Sequence, residues 1–177
     1  YTAFCTRYKA WAKSLKRSMR QIHRAGEKLF ADYAGPSVPI IDAATGEIRP
    51  ASIFVAVLGA SSYTFACATQ GQSQADWLGG LARALEFIGG VTELIVPDNP
   101  KALVTVANPY EPELNRATQE FADHYGTVIL PARPRKPQDK AKVESGVQVV
   151  ERWILARLRH RQFFSVTELD TAVAELL

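Results

Sequence analysis

What most constrains this chain is the order of its patterns: three strand-like runs in close succession, then helix, strand, helix, strand and helix. From Glu27 to Tyr33 the residues alternate, with Leu29 and Ala31 on one side and Phe30 and Asp32 on the other, as in a strand with two differing faces. Turn residues fill Asp42 to Gly46. Ile53 to Leu58 then reads as a buried strand, and Gly59 to Ser62 turns the chain into a third, Tyr63 to Thr69. Ser73 and Asp76 cap a helix that carries Leu78, Leu81, Leu85 and Ile88 inward and stops at Gly89-Gly90. Leu94 to Val96 is a short strand ending at Pro97-Asp98. A helix is expected over about 113–125, a fifth strand at Val128 to Leu130, and a long helix over about 138–161 with Val143, Val147, Val150, Ile154 and Leu158 on one stripe. A last helix starts at Ser165. This order predicts an α/β fold: a mixed five-stranded sheet with helices on both faces.

Ahead of the sheet, Phe4, Tyr8, Trp11, Leu15, Met19 and Ile22 recur at helical spacing, so residues 3–23 read as an amphipathic helix. Its other faces carry Arg7, Lys9, Lys13, Lys16, Arg17 and Arg20. The expected organisation is a basic connector helix over 1–25, a core over 26–164, and a C-terminal helix over 165–177 leading to a further domain. With 177 residues, 47% of them hydrophobic, the chain can bury one core. Its longest apolar run, Ile53 to Leu58, is far below the roughly 20 residues of a membrane helix. A cytoplasmic protein without membrane contact is expected. Cys5 and Cys67 lack metal-ligand or redox spacing and read as buried small hydrophobes, and Trp77 and Trp153 fall on apolar helix faces, where they read as core.

The net charge is +3, but its distribution says more. Residues 1–30 carry eight Lys or Arg against Glu27 alone, 31–130 carry eleven Asp or Glu against four basic residues, and 131–161 carry nine basic residues against three acidic. A carboxylate-rich middle between basic flanks suits a chain that holds cations at its centre and a polyanion around them. Solvated helix faces are the competing reading.

Three carboxylates occupy informative positions: Asp32 inside the first strand, Asp98 directly after the fourth, and Glu144 in the first turns of the long helix. An ionised group in a core strand needs a partner, and the neighbouring strands offer no Lys or Arg, so a bound cation is the natural compensation. Asp98 stands at a strand's carboxyl end, where open sheets place ligand sites. Taken singly, each has an ordinary reading: a strand-end aspartate, a turn in Pro97-Asp98-Asn99-Pro100, and an i,i+4 pair of Lys140 with Glu144. Taken together, three carboxylates on three converging elements are what hard divalent ions require.

Three blocks carry a resemblance. Phe30-Ala31-Asp32-Tyr33, the run from Val96 to Val104 around Pro97-Asp98-Asn99-Pro100-Lys101, and the run from Arg133 to Glu144 ending Lys140-Ala141-Lys142-Val143-Glu144 resemble the DDE blocks of IstA-type transposases, from insertion sequences that also encode an ATPase helper. Similarity runs from about Glu27 to the C-terminus, and the last block is the most specific.

The resemblance implies a ribonuclease-H-like catalytic core with Asp32, Asp98 and Glu144 as catalytic metal ligands for two Mg²⁺ ions, with Mn²⁺ as substitute. It implies cleavage at transposon ends and strand transfer of the freed 3′-OH into target DNA. Arg133, Arg135, Lys136, Lys140 and Lys142 would neutralise backbone phosphates. Many DDE transposases carry a Lys or Arg seven residues after the glutamate; here that position is Glu151, and the role passes to Arg152 beside it. The implied partners are transposon-end and target DNA, the ATPase helper, and further copies of the chain in an assembled complex. Two other readings keep the fold: a catalytically silent assembly scaffold, and a nuclease unrelated to transposition.

Overall fold

The computed structural model describes residues 1–14, 22–98, 102–106, 113–132 and 137–177. The long strand β3 (Ile48–Leu58) organises the sheet. It pairs antiparallel with β1 (Lys28–Tyr33), setting Phe30 opposite Val57 and Tyr33 opposite Phe54, and with β4 (Thr64–Thr69) along its other side. β2 (Val38–Ile41) pairs with the first residues of β3, and the Ala34 N–H to Ile53 carbonyl bond continues the ladder between β1 and β2. β5 (Leu94–Pro97) runs parallel to β1, and β8 (Val128–Ile129) parallel to β5. The result is a mixed six-stranded sheet, with β6 (Val104–Val106) and β7 (Glu113–Leu114) paired separately. The five expected strands are present. The sixth, β2, lies where Pro39 and Pro50 stand opposite each other and remove two ladder donors, which hid it from pattern reading.

Helices cover both faces, as the order predicts. α2 (Gln74–Ile88) starts at the expected capping box, the Ser73 side chain and Asp76 exchanging hydrogen bonds, and ends on Gly89 at φ 73°. α3 (Arg116–Tyr125) begins later than expected, because Asn115 caps it and Glu113–Leu114 is extended. Both pack on the face formed by Leu29, Ala31, Tyr33, Phe54, Ala56, Phe65, Cys67, Ile95 and Ile129. The opposite face, with Ile53, Val55, Val57, Ala66 and Ala68, is covered by the long C-terminal helix and by α6 (Val166–Ala174), which buries Leu169, Ala172 and Val173.

That long helix has three parts: α4 (Pro137–Val149), a π-helical turn at Val150–Leu155, and α5 (Ala156–Leu158). Its stripe is the expected one, with Val143, Val150, Ile154 and Leu158 buried. Gly146 belongs to the same stripe, and a Cβ there would collide with the side chain of Val57, so α4 and β3 approach as closely as backbone allows. Trp77 is core as expected, but Trp153 is not: it is 52% exposed, and the Arg157 guanidinium stacks 3.5 Å above its ring. The wider π turn carries Trp153 off the buried stripe.

α1 (Thr2–Ser14) opens the chain; Leu15 and Met19 of its expected stripe lie outside the described residues, and Ile22 and His23 are not helical, so the helix expected over 3–23 does not reach its expected end. Phe4 and Tyr8 stack along it at 6.1 Å, with Trp11 beyond, and all three are exposed. Cys67 is buried, its thiol pushed up to about 12 by desolvation, so it acts as a small hydrophobe; Cys5 is half-buried. Among the described residues no helix is long and apolar enough to cross a membrane.

Candidate active site

The alternation of β1 sorts its side chains. Leu29, Ala31 and Tyr33 enter the core under α2, while Phe30 joins Val96 and Val143 in a small cluster beneath α4. Asp32, two residues beyond Phe30, shares that face and is half-buried. On β5, Ile95 lies in the α2 core and Val96 in the α4 cluster, so Asp98 falls on the same face as Asp32. The register brings the two together: Ala31 is level with Pro97, and the Asp98 N–H donates to the Ala31 carbonyl at 2.8 Å. The next step of this parallel ladder sets Asp98 beside Asp32, on strands about 4.8 Å apart.

The third carboxylate arrives from above. Val143 packs on Phe30 and Val96, which fixes the start of α4 over these strand ends, and Glu144 follows it on the exposed flank of the stripe. The two flanks are fastened differently. Lys142, on one side, donates from Nζ to the Ser62 hydroxyl at 3.0 Å, on the turn between β3 and β4. Glu151, two turns after Glu144 and on its flank, accepts at Oε1 from the Gly35 N–H at 3.2 Å, just past the end of β1. Glu144 therefore lies on the flank turned toward the carboxyl end of β1. Among the described residues no three His, Cys, Asp or Glu side chains converge closely enough to hold a metal as they stand. What the fold supplies is placement: two aspartates at the neighbouring carboxyl ends of β1 and β5, and a solvent-facing glutamate in α4 beside Val143.

The Asp32 Oδ1 accepts the Tyr33 N–H at 2.8 Å, but the Tyr33 ring turns to the other side, edge-on to Phe54 and Trp77. Burial pushes the Tyr33 hydroxyl up to about 12, so it does not titrate near neutrality. His23 lies against Phe30 at the far end of β1, its pKa lowered by burial and then by Lys142 and Lys28.

Of the basic residues expected to meet phosphate, Lys142 is tied to Ser62 and Arg152 is exposed on the helix. Arg133, Arg135 and Lys136 lie outside the described residues, as does the side chain of Lys140. Sequence reasoning missed the two fastenings, Ser62 and Glu151. Glu151 was marked only by its spacing from Glu144. Its partner is a backbone N–H more than a hundred residues away, which no local pattern reveals.

This sheet and helix arrangement is that of the integrase catalytic core, a ribonuclease-H-like fold. The simian T-cell lymphotropic virus intasome in complex with PP2A regulatory subunit B56 gamma superposes with a TM-score of 0.61 at 13% identity, over 88% of this chain and 50% of that one. The HTLV-2 integrase catalytic core domain in complex with magnesium (trimeric form) gives 0.58 at 14% identity, over 89% and 86%.

Over all 177 residues the chain is 67% identical to the "Putative transposase for insertion sequence IS408" of Burkholderia multivorans and 64% identical to the "Putative transposase for insertion sequence IS1162" of Pseudomonas fluorescens. It spans about a third of the length of these relatives, 34% and 32%. No protein-family model matches it.

Proposed function

We propose that this chain is the catalytic core of a DDE transposase of the IstA type, cutting the phosphodiester at transposon ends and joining the freed 3′-OH to target DNA. The observation that carries the reading is the Asp98 N–H bond to the Ala31 carbonyl, which sets Asp98 level with Asp32 at the ends of two parallel strands, with Glu144 next to Val143, which packs on the same strands. Similarity over all of its 177 residues to about a third of a "Putative transposase for insertion sequence IS408" supports it, and so does a fold shared with an integrase core that was solved with magnesium.

The donor set fits a hard divalent ion. All three groups are carboxylates, and Glu144 faces solvent, where metal and phosphate can enter. Asp32, Asp98 and Glu144 would hold a pair of Mg²⁺ ions, with Mn²⁺ as substitute. When bound, such a pair makes the attacking water or 3′-OH a better nucleophile and stabilises the departing oxygen. The residues of the chain do the rest. Asp32 and Asp98, rooted in the sheet, would fix where the ions and through them the reacting phosphate sit, and Glu144 would complete the ligand set from the helix. Lys142 and Arg152, with Arg133, Arg135, Lys136 and Lys140, neutralise the DNA backbone beside that phosphate.

On this reading 1–25 is a connector that begins with α1, 26–164 the core, and 165–177 the approach to a further domain, in a cytoplasmic protein. The partners are transposon-end and target DNA, further copies of the chain, and an ATPase helper.

The test is a calorimetric titration of Mn²⁺ into wild type and Asp32→Asn with duplex DNA present. Wild type binds, and the variant binds at least about 100-fold more weakly, because a ligand is lost outright. Equal binding by the two, or none by either, would sink the proposal.

A further inference from the structure

We infer that Glu151 is a positioning residue of the proposed site, acting through the Gly35 N–H to hold the Glu144 flank of α4 against the carboxyl end of β1. The inference rests on the proposed function and deepens it.

Three observations carry it. The Glu151 carboxylate accepts from the Gly35 N–H at 3.2 Å, joining the helix to the chain three residues beyond Asp32. Glu144 and Glu151 are seven residues apart, two helical turns, so whatever fixes one flank position fixes the other. Among the described residues, Val143 is the one side chain of α4 fully buried against Phe30 and Val96, with Val147 partly buried beside it, so the Glu151 bond adds a polar fastening to a small apolar cluster.

The fastenings also divide the work. The stripe of Val143, Gly146 and Val150 sets the height of the helix above the sheet, and the close approach of Gly146 to Val57 leaves little room for vertical movement. Rotation about the helix axis is a separate freedom, and a stripe of small aliphatic side chains resists it weakly. Lys142 on Ser62 and Glu151 on Gly35 are ties on opposite flanks. Releasing the second lets the helix roll and carries Glu144 away from Asp32 and Asp98. The π turn begins at Val150, so the tie sits where the helix changes its pitch, and the segment from Val143 to Glu151 is held at both ends.

A negative residue at this position also argues against direct phosphate contact. A carboxylate seven residues after Glu144 repels a DNA backbone, whereas one engaged by a backbone N–H has a structural partner.

The experiment compares wild type, Asp32→Asn, Glu151→Ala and Glu151→Gln, with two readouts. Amide exchange at Gly35 reports the tie without any metal: exchange is faster in Glu151→Ala and stays near the wild-type rate in Glu151→Gln, whose amide oxygen still accepts. Mn²⁺ affinity with duplex DNA present reports the site: Glu151→Ala binds about 10-fold more weakly, the range seen when groups that orient metal ligands are removed, and Glu151→Gln stays within about 2-fold. All are measured well below each variant's melting temperature, so a loss of stability alone does not move them.

If Glu151→Ala exchanges faster at Gly35 but binds Mn²⁺ like wild type, the tie is structural and the inference falls while the proposed function stands. If Glu151→Gln loses as much affinity as Glu151→Ala, the negative charge itself is needed, and positioning is the wrong role. If wild type and Asp32→Asn bind alike, the proposed function fails and takes the inference with it.

Discussion

The two faces of one strand have been put to opposite uses. Leu29, Ala31 and Tyr33 of β1 enter a core that continues through Phe54, Trp77 and Leu81, closed by two helices. Lys28, Phe30 and Asp32 alternate with them and meet only a small cluster around Val143, beyond which the face opens to carboxylates. The closed face supplies rigidity, and the open one borrows it: Asp32 and Asp98 need no packing of their own, because the strands bearing them are held from behind. Burial and chemistry are thus separable here by the parity of a residue number.

The sharpest way to break this comparison is to damage each face once. Phe54 is fully buried and packs edge-on to Tyr33 and Trp77. Phe54→Ala should cost about 3 to 5 kcal/mol of stability in urea unfolding, the range for a buried aromatic. Asp32→Asn should leave stability within about 0.5 kcal/mol, since it removes a charge from a half-buried position and keeps the shape. If Asp32→Asn proved as damaging as Phe54→Ala, the open face would be part of the structural core and the division would fail.

Glycine substitutions test the same division in the helices. In α2, a Cβ on Gly80 would lie 2.7 Å from the Phe54 ring, while one on Gly79 meets nothing within 4 Å. In α4, a Cβ on Gly146 collides with Val57. Gly146→Ala and Gly80→Ala should each cost about 1 to 3 kcal/mol through overpacking, and Gly79→Ala should stabilise by about 0.5 to 1 kcal/mol by raising helix propensity. Melting temperatures decide it. A neutral Gly146→Ala would mean that α4 can lift from the sheet, and that its height over Asp32 is not fixed by Val57.

Much of this was legible in the sequence, and the reasons are local. The capping box at Ser73, the stop at Gly89, the helix closed by Gly126 and the stripe from Val143 to Leu158 are signals of neighbouring residues, and each element formed, though the Asn115 cap that starts the third helix was not read. The placement of Asp32 and Asp98 on one face followed from strand alternation and from their blocks. Harder to read were features set by distant partners. β2 gains its place from β3 despite two prolines, Trp153 leaves the core because a π turn intervenes, and the ties of Lys142 and Glu151 join segments that no periodicity connects. The exposed aromatics of α1 show the converse: Phe4, Tyr8 and Trp11 recur at helical spacing, yet no described core residue covers them.

The smallest expected effect concerns the edges of the sheet. β8 is two residues long and offers little to an incoming strand, whereas β4 is six residues long and pairs with β3 on one side alone. Its outer side is guarded by α6, where Asp170 accepts the Ala68 N–H at 2.9 Å and the Arg83 guanidinium at 2.6 Å. The two bonds differ in worth. Arg83 is 44% exposed, so its ion pair is screened and contributes at most about 0.5 kcal/mol, while the Ala68 N–H is part-buried and its loss costs about 1 kcal/mol. Asp170→Asn keeps an acceptor for Ala68 and should be nearly neutral. Asp170→Ala leaves the N–H unmet and should lower stability by about 1 kcal/mol while speeding amide exchange at Ala68. If the two variants behaved alike, the guard of β4 would be the apolar packing of Leu169 and Val173 rather than the polar cap, and the edge would be closed by the same means as the core.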